Sequence, residues 1–237
     1  NFVCSAIEHP AVAETIRRVE QMGHTVRVLP IDARGVVDLA ACEAVIDEHT
    51  ALVSCMQVSN ETGAIQPVEA LNKLARRKNP NVRIHVDGVQ GFMRVPMHME
   101  RMGVDLYALS GHKIHGPKGI GVLAVRPGVR LIPQITGGGQ EKGLRSGTES
   151  VPLIAAFGAA VAQTYPEIQK NHAHYCQLRE HLIKNLVNKK EITMNSPENA
   201  VPYICNFSVQ GIRSEIMLHF LEQSGIYVSS GSACAKG

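Results

Sequence analysis

Residues 108–121 read Ala108-Leu109-Ser110-Gly111-His112-Lys113-Ile114-His115-Gly116-Pro117-Lys118-Gly119-Ile120-Gly121. The apolar run Leu106 to Leu109 stops at Ser110, and a second apolar run opens at Ile120 and reaches Val125. A crossover between parallel strands takes about a dozen residues or more and is usually a helix. The interval here is shorter and broken by glycine and proline, so the second run is expected to enter the sheet antiparallel or through a wide loop. Lys113 then stands at the end of a buried strand. Its plain reading is a solvated loop lysine, because lysine is almost never fully buried unless paired. Its chemical reading is an amine placed to attack a carbonyl.

Upstream of this stretch the sequence reads as strand–helix–strand units. The chain is apolar from Phe2 to Ala6, as though it opened within a strand, and further sequence is expected before it. Glu8-His9-Pro10 starts a helix in which Val12, Ile16, Val19 and Met22 recur at helical spacing, and Gly23 closes it. Thr25 to Leu29 reads as a strand, Asp32 to Gly35 as a turn, and Asp38 as the cap of a helix to about Glu48. Ala51 to Val58 is a buried strand, followed by the polar loop Ser59-Asn60-Glu61-Thr62-Gly63. A helix runs from Pro67 to about Arg77, and the strand Val82 to Val86 ends in Asp87-Gly88-Val89-Gln90. A short helix is expected around His98 to Met102, before the strand that delivers Lys113.

This alternation predicts an α/β domain with a mainly parallel sheet. Ligands of such sheets bind outside the carboxyl ends of the strands. His9, Asn60, Asp87, Ser110, His112 and Lys113 all fall at such ends, so residues far apart in sequence are expected on one rim.

Downstream, residues 136–150 form a glycine-rich segment carrying Arg145 and Thr148. It is either a flexible surface loop or a cradle of backbone N–H groups for an anion. Helix is expected from Val151 to about Lys190, broken at Pro166. Its first part is rich in small residues that suit close packing. Strands at 191–194, 203–209 and 226–228, with a helix from Ser214 to Gln223, make a small α+β unit. The expected division is residues 1–150 and 151–237. The chain ends in Ser229-Ser230-Gly231-Ser232-Ala233-Cys234, a thiol among tiny residues. Cys234 is either an incidental exposed thiol or a nucleophile on a mobile loop.

Composition narrows the classes. A net charge of +3 and the absence of Trp give no basic, aromatic-lined surface for nucleic acid. No apolar run reaches the roughly 18 residues of a membrane span. None of the six cysteines forms a CxxC pair, so no metal site is expected, and scattered thiols point to a reducing, cytoplasmic setting.

Four segments together resemble the cysteine desulfurases, pyridoxal-phosphate (PLP) enzymes of fold type I in the class V aminotransferase group. They are His85-Val86-Asp87-Gly88-Val89-Gln90; Ser110-Gly111-His112-Lys113 through Gly119; Gly137-Gly138-Gly139-Gln140-Glu141 with Arg145-Ser146-Gly147-Thr148; and Ser229 through Cys234. The Ser-Ser-Gly-Ser-Ala-Cys form resembles the subgroup that serves iron–sulfur cluster assembly. The resemblance implies a large PLP-binding domain and a smaller, incomplete α+β domain. It implies that Lys113 holds PLP and moves the substrate α-proton, and that Asp87 pairs with the ring nitrogen. His9 would cover the ring face, Asn60 and Gln90 would bond near the ring hydroxyl, and Ser110 and His112 would bind the phosphate. Thr148 would reach the phosphate of a second subunit, which implies a homodimer. Cys234 would take sulfur from L-cysteine as a persulfide, leave L-alanine, and pass the sulfur to an acceptor protein.

The family carries a further phosphate-binding threonine and a strand upstream, and an arginine that clamps the substrate carboxylate downstream. This chain starts after the first two and stops before the third, so truncation at both ends is expected. The absent strand would leave Ile120–Val125 with an uncovered edge. Alternatives are another class V enzyme such as a transaminase, a selenocysteine lyase, or a catalytically inert fragment.

Overall fold

The computed structural model describes residues 1–231. Its centre is a six-stranded sheet of β1 (Phe2–Ser5), β2 (Val26–Leu29), β3 (Leu52–Ser54), β4 (Arg83–Asp87), β5 (Leu106–Ser110) and β6 (Gly121–Val125), in the order β2-β1-β3-β4-β5-β6. The first five pair in parallel. The last enters antiparallel, in register from Leu106↔Val125 to Ser110↔Gly121. The expected α/β architecture and the reversal after Lys113 are therefore both present. β2 and β6 are the edge strands, and Val122 and Leu123 on β6 are exposed.

Apolar residues run together in β1 and β3, as in a sheet covered on both faces, whereas β4 alternates buried Ile84 and Val86 with Arg83, His85 and Asp87. Val3, Val53, Ile84, Val86 and Tyr107 join one core with Leu29, Leu71, Leu74 and Val104. Helix α1 (Pro10–Gln21) starts with proline in its first turn, and His9 is its N-cap. Helix α3 (Val68–Lys78) buries Val68, Leu71, Leu74 and Ala75 on one face and points Arg76, Arg77 and Lys78 from its last turn. At about 1.5–3 kcal/mol per fully buried large aliphatic chain, this face contributes most of what holds α3 to the sheet.

Four expectations about elements are corrected. Helix α2 spans only Leu39–Cys42. Asp38 caps it through Ala40 N and Ala41 N, but the following N–H groups of Glu43, Ala44 and Val45 bond three residues back, tightening the chain into turns. Asp47 then gathers His49 N and the Thr50 hydroxyl into a local loop, which competes with helix. β3 stops at Ser54 because the Glu8 carboxylate, not a strand, accepts from Met56 N at 2.8 Å. Residues 98–102 form turns, with one helical bond, Met102 N to His98 O, too few to propagate. Residues 203–206 and 226–228 are not strands.

Helices α4 (Val151–Thr164) and α5 (Ile168–Leu186) are separated at Tyr165–Glu167, where Pro166 interrupts the ladder as expected. Beyond them lie the antiparallel pair β7 (Ile192–Met194) and β8 (Phe207–Val209), and α6 (Ser214–Gln223). The small residues of α4 let it sit close against the Lys113 turn. A Cβ added to Gly111 would lie 3.0 Å from the Phe157 ring and 2.8 Å from Ile120, and Phe92 stacks on Phe157 at 6.2 Å between centroids.

Candidate active site

The sheet delivers the expected residues to one rim. His9 follows β1, Asn60 follows β3, Asp87 is the last residue of β4 and Ser110 the last of β5. The parallel register sets β1, β3, β4 and β5 side by side, so these ends are neighbours. Backbone bonds continue past the strands and hold the rim together: Gln57 N donates to Asp87 O at 2.8 Å, and Gly88 N donates to Ala108 O at 2.9 Å.

Each functional side chain is fixed locally. His9 Nδ1 accepts from Ala11 N at 3.1 Å, so the capping bond selects the tautomer with its proton on Nε2. Asp87 Oδ1 accepts from Val89 N at 3.0 Å, which orients one oxygen and leaves the other for a ligand. Gly88 follows because a Cβ there would lie 2.0 Å from the Tyr107 ring. Tyr107 is buried against the inner side of the rim and donates to Gln57 Oε1 at 2.6 Å. The loop carrying Asn60 is closed by Ser59, whose hydroxyl accepts from Glu61 N and Thr62 N, and by a bridge between Val58 and Ile65.

Lys113 lies in a single 3₁₀ turn, Gly111–Ile114, that ends at His115 with φ 63°. Ser110 Oγ and His112 Nδ1 are 2.6 Å apart, a hydroxyl and an imidazole on the same short turn. Partial desolvation and then the nearby cations Lys113 and Lys118 lower the His112 pKa, which favours a neutral ring that can donate one bond and accept another. The backbone carbonyl of Lys113 accepts a bond from the Arg94 guanidinium.

Three groups not foreseen from the sequence complete the rim. Glu8 is half-buried beside it, with Oε1 accepting from Ser5 Oγ and Met56 N, while its buried Oε2 has no hydrogen-bond partner among the described residues. Burial pushes its carboxyl up to about 7, with Asp87 adding to the shift and the two bonds opposing it. Its neighbour His9 was visible as a helix start, but nothing in the pattern said that Glu8 points inward. Arg94 and Tyr203 are the other two. The Arg94 guanidinium carbon lies 4.7 Å from the centroid of the Tyr203 ring, and the Tyr203 hydroxyl donates to Gln90 O at 2.7 Å. Burial raises Tyr203 to about 12, against the opposing charge of Arg94, so the phenol stays a donor.

Thr148 is exposed on the loop 136–150, where Gly147 N bonds back to Gln140 Oε1 and Arg145 to Ser146 O. That loop is turned on itself by these bonds. Cys234 lies outside the described residues. Cavities flank the rim, one of about 250 Å³ touching Arg94, Ile114, His115 and Tyr203, and one of about 670 Å³ touching Glu8, Asn60 and Thr62. Among the described residues no cluster of three or more His, Cys, Asp or Glu could hold a metal ion, and no helix is long and apolar enough to cross a membrane.

The donor set fits PLP: an amine for the aldehyde, a carboxylate oriented for the ring nitrogen, and a hydroxyl with a neutral imidazole and glycine backbone for the phosphate.

Comparison with known proteins places this chain in a family. The chain is 39% identical over 239 residues to a NifS/IcsS protein homolog of Lactobacillus delbrueckii, covering all of this chain and 62% of that protein. It is 40% identical over 233 residues to the cysteine desulfurase IscS of Rickettsia rickettsii, covering 97% of this chain and 56% of that one. A solved NifS-like protein superposes with a TM-score of 0.93 at 40% identity, over 96% of this chain and 62% of the other. The chain thus spans about half to two thirds of the length of these relatives. The aminotransferase class-V model matches residues 1–237, and the chain belongs to that family.

Proposed function

We propose that this chain is the PLP-binding part of a cysteine desulfurase that converts L-cysteine to L-alanine and passes the sulfur, through a persulfide on Cys234, to an acceptor protein for iron–sulfur cluster or thio-cofactor assembly. The observation that carries the reading is the rim itself: Asp87, Ser110, His112 and Lys113 at two adjacent strand ends, in a chain whose relatives are named cysteine desulfurases. We place it in the cytoplasm, as a homodimer, with residues 1–150 as the cofactor-binding part and 151–237 as the linking helices and smaller part.

Bound here, PLP supplies an electron sink for the pair left at the substrate α-carbon. The residues supply the rest. The Lys113 amine holds the cofactor and afterwards carries the α-proton. Asp87, held by Val89 N, accepts from the ring N–H and keeps it protonated; a charge-assisted bond of this kind is strong in a dry site. Ser110 and His112 donate to the phosphate, and Thr148, exposed on its loop, donates to that of a second subunit. Asn60 and Gln90 hold the ring hydroxyl side, and His9 covers the ring. The Cys234 thiolate attacks the sulfur of cysteine. The carbon–sulfur bond breaks, leaving the sulfur on Cys234 as a persulfide and the electron pair on the β-carbon; protonation of that carbon and return of the α-proton from Lys113 give alanine.

The test is a titration with PLP, followed by borohydride and peptide mapping, and an assay of alanine and sulfide from L-cysteine. The expected result is a visible band, cofactor fixed on Lys113, and turnover that falls about a hundredfold or more in Cys234→Ser with the band retained. A protein that stays colourless, or fixes cofactor elsewhere, overturns the reading. Full turnover in Cys234→Ser overturns the persulfide route.

A further inference from the structure

The segment 201–206 crosses back from the C-terminal part and touches the rim at three places. Val201 N donates to Gly63 O at 2.9 Å and Asn206 Nδ2 to Glu61 O at 3.2 Å, both within the loop that carries Asn60. Tyr203 donates to Gln90 O at 2.7 Å. The third touch is indirect. Tyr203 lies under the Arg94 guanidinium, and Arg94 bonds the carbonyl of Lys113. A Cβ on Gly63 would meet Val201 and Ile204 at 3.1 Å, so the close fit of segment and loop is built in.

We propose that Arg94 and Tyr203 act as a clamp that positions Lys113 and Gln90, so that the C-terminal part sets the geometry of the cofactor site without touching the cofactor. The reasoning is one of degrees of freedom. Lys113 sits on a turn of four residues bounded by a left-handed residue, and a short 3₁₀ turn has poor internal bonding. Its carbonyl therefore needs an outside donor to hold the direction in which the side chain leaves the backbone. Arg94 is that donor. A guanidinium is a planar fork that can bond and stack at once, which an ammonium does less well. Tyr203 flattens against the fork and ties it to Gln90, three residues past Asp87. Tyr175 of α5 meets the Tyr203 ring edge-on at 6.2 Å and restrains it from the other side. Two carbonyls of the proposed cofactor site are thus held by two side chains that hold each other.

The proposal rests on the reading above, and the experiment separates the two. Arg94→Ala, Arg94→Lys and Tyr203→Phe are made in the protein, the latter two to retain charge and stacking if the alanine variant unfolds. In cofactor-free protein, amide exchange is followed at residues 88–92 and 111–116. The clamp predicts exchange about tenfold faster there in Arg94→Ala and Tyr203→Phe, with β3 and β4 unchanged. In PLP-loaded protein it predicts affinity about tenfold weaker and a visible circular dichroism per bound cofactor reduced by about half or more, with Arg94→Lys in between. Exchange within about twofold of wild type, or unchanged dichroism in variants that exchange faster, overturns the clamp. If wild-type protein takes up no PLP, the functional reading fails and exchange alone decides the clamp.

Discussion

At the scale of single residues the most consequential group is Glu8. It is half-buried beside the rim, its buried Oε2 has no hydrogen-bond partner among the described residues, and its carboxyl is pushed up to about 7 from an ordinary 4.5. A carboxyl whose folded pKa is raised binds its proton more tightly in the folded state than in the unfolded one. Its ionisation then costs stability, starting as pH rises past the unfolded value and complete above the folded value. The window is therefore about pH 4.5 to 7, and the full effect is at most about 3 kcal/mol. His85 works the other way. Burial lowers its pKa, so it loses stability as pH falls through the ordinary imidazole range. The contrast between wild type and Glu8→Gln removes that background. Urea unfolding at pH 5 and pH 8 should show wild type losing stability across the interval relative to Glu8→Gln, which keeps an oxygen for Met56 N without the charge. Parallel pH profiles for the two proteins would mean that Glu8 is not the titrating group.

At the scale of elements, Asp105 joins four of them. It is fully buried at the start of β5, with Arg76 of α3 at 2.7 Å, Arg126 just past β6 at 2.7 Å, Arg83 of β4 at 3.6 Å, and Ile84 N donating to it at 2.9 Å. Removing one partner from such a cluster strands the others, and breaking a buried pair costs about 3–5 kcal/mol. Asp105→Asn should lower the unfolding free energy measured by urea titration by an amount in that range, whereas Asp32→Asn, in an exposed turn with Arg34, should change it far less. Equal effects would show that the buried cluster is no more than a surface pair. Asp105 also illustrates what the sequence could and could not tell. The strand ending in Lys113 was legible from its apolar run, and the reversal into β6 from the short glycine interval. The rim followed, because parallel strands place their loop residues together. The partners of Asp105, the inward turn of Glu8 and the reach of Arg94 to Lys113 depend on contacts across 19 to 48 residues, and no local period encodes them. Helix α2 failed for the opposite reason. Its propensity was sound, but the Asp47 loop supplied a better set of local bonds.

At the scale of the whole molecule, the stretch that carries Thr148 also exposes a run of large aliphatic residues. Ile132 is 84% exposed and Val151 67%, with Ile135, Leu144 and Ile154 also open to solvent. No residue of α4 is buried. Scattered exposed aliphatics need no explanation, but several on one continuous stretch of 23 residues, bordering a proposed intersubunit residue, call for a cover. A second copy would supply it under the homodimer proposed above, since a two-fold pairing would bury the same patch on both subunits and would present each Thr148 to the other's rim. Sedimentation of the protein should therefore give a dimer, and Val151→Asp with Ile154→Asp should shift it toward monomer. Two buried charges facing their symmetry mates cost far more than the lost apolar contact. The same variant should weaken PLP binding even though neither residue lies on the Lys113 rim, because the monomer lacks the second copy's Thr148. A variant that sediments as a monomer yet binds PLP as wild type does would separate the two claims: the surface would be the dimer interface, and Thr148 would play no part in the neighbouring site.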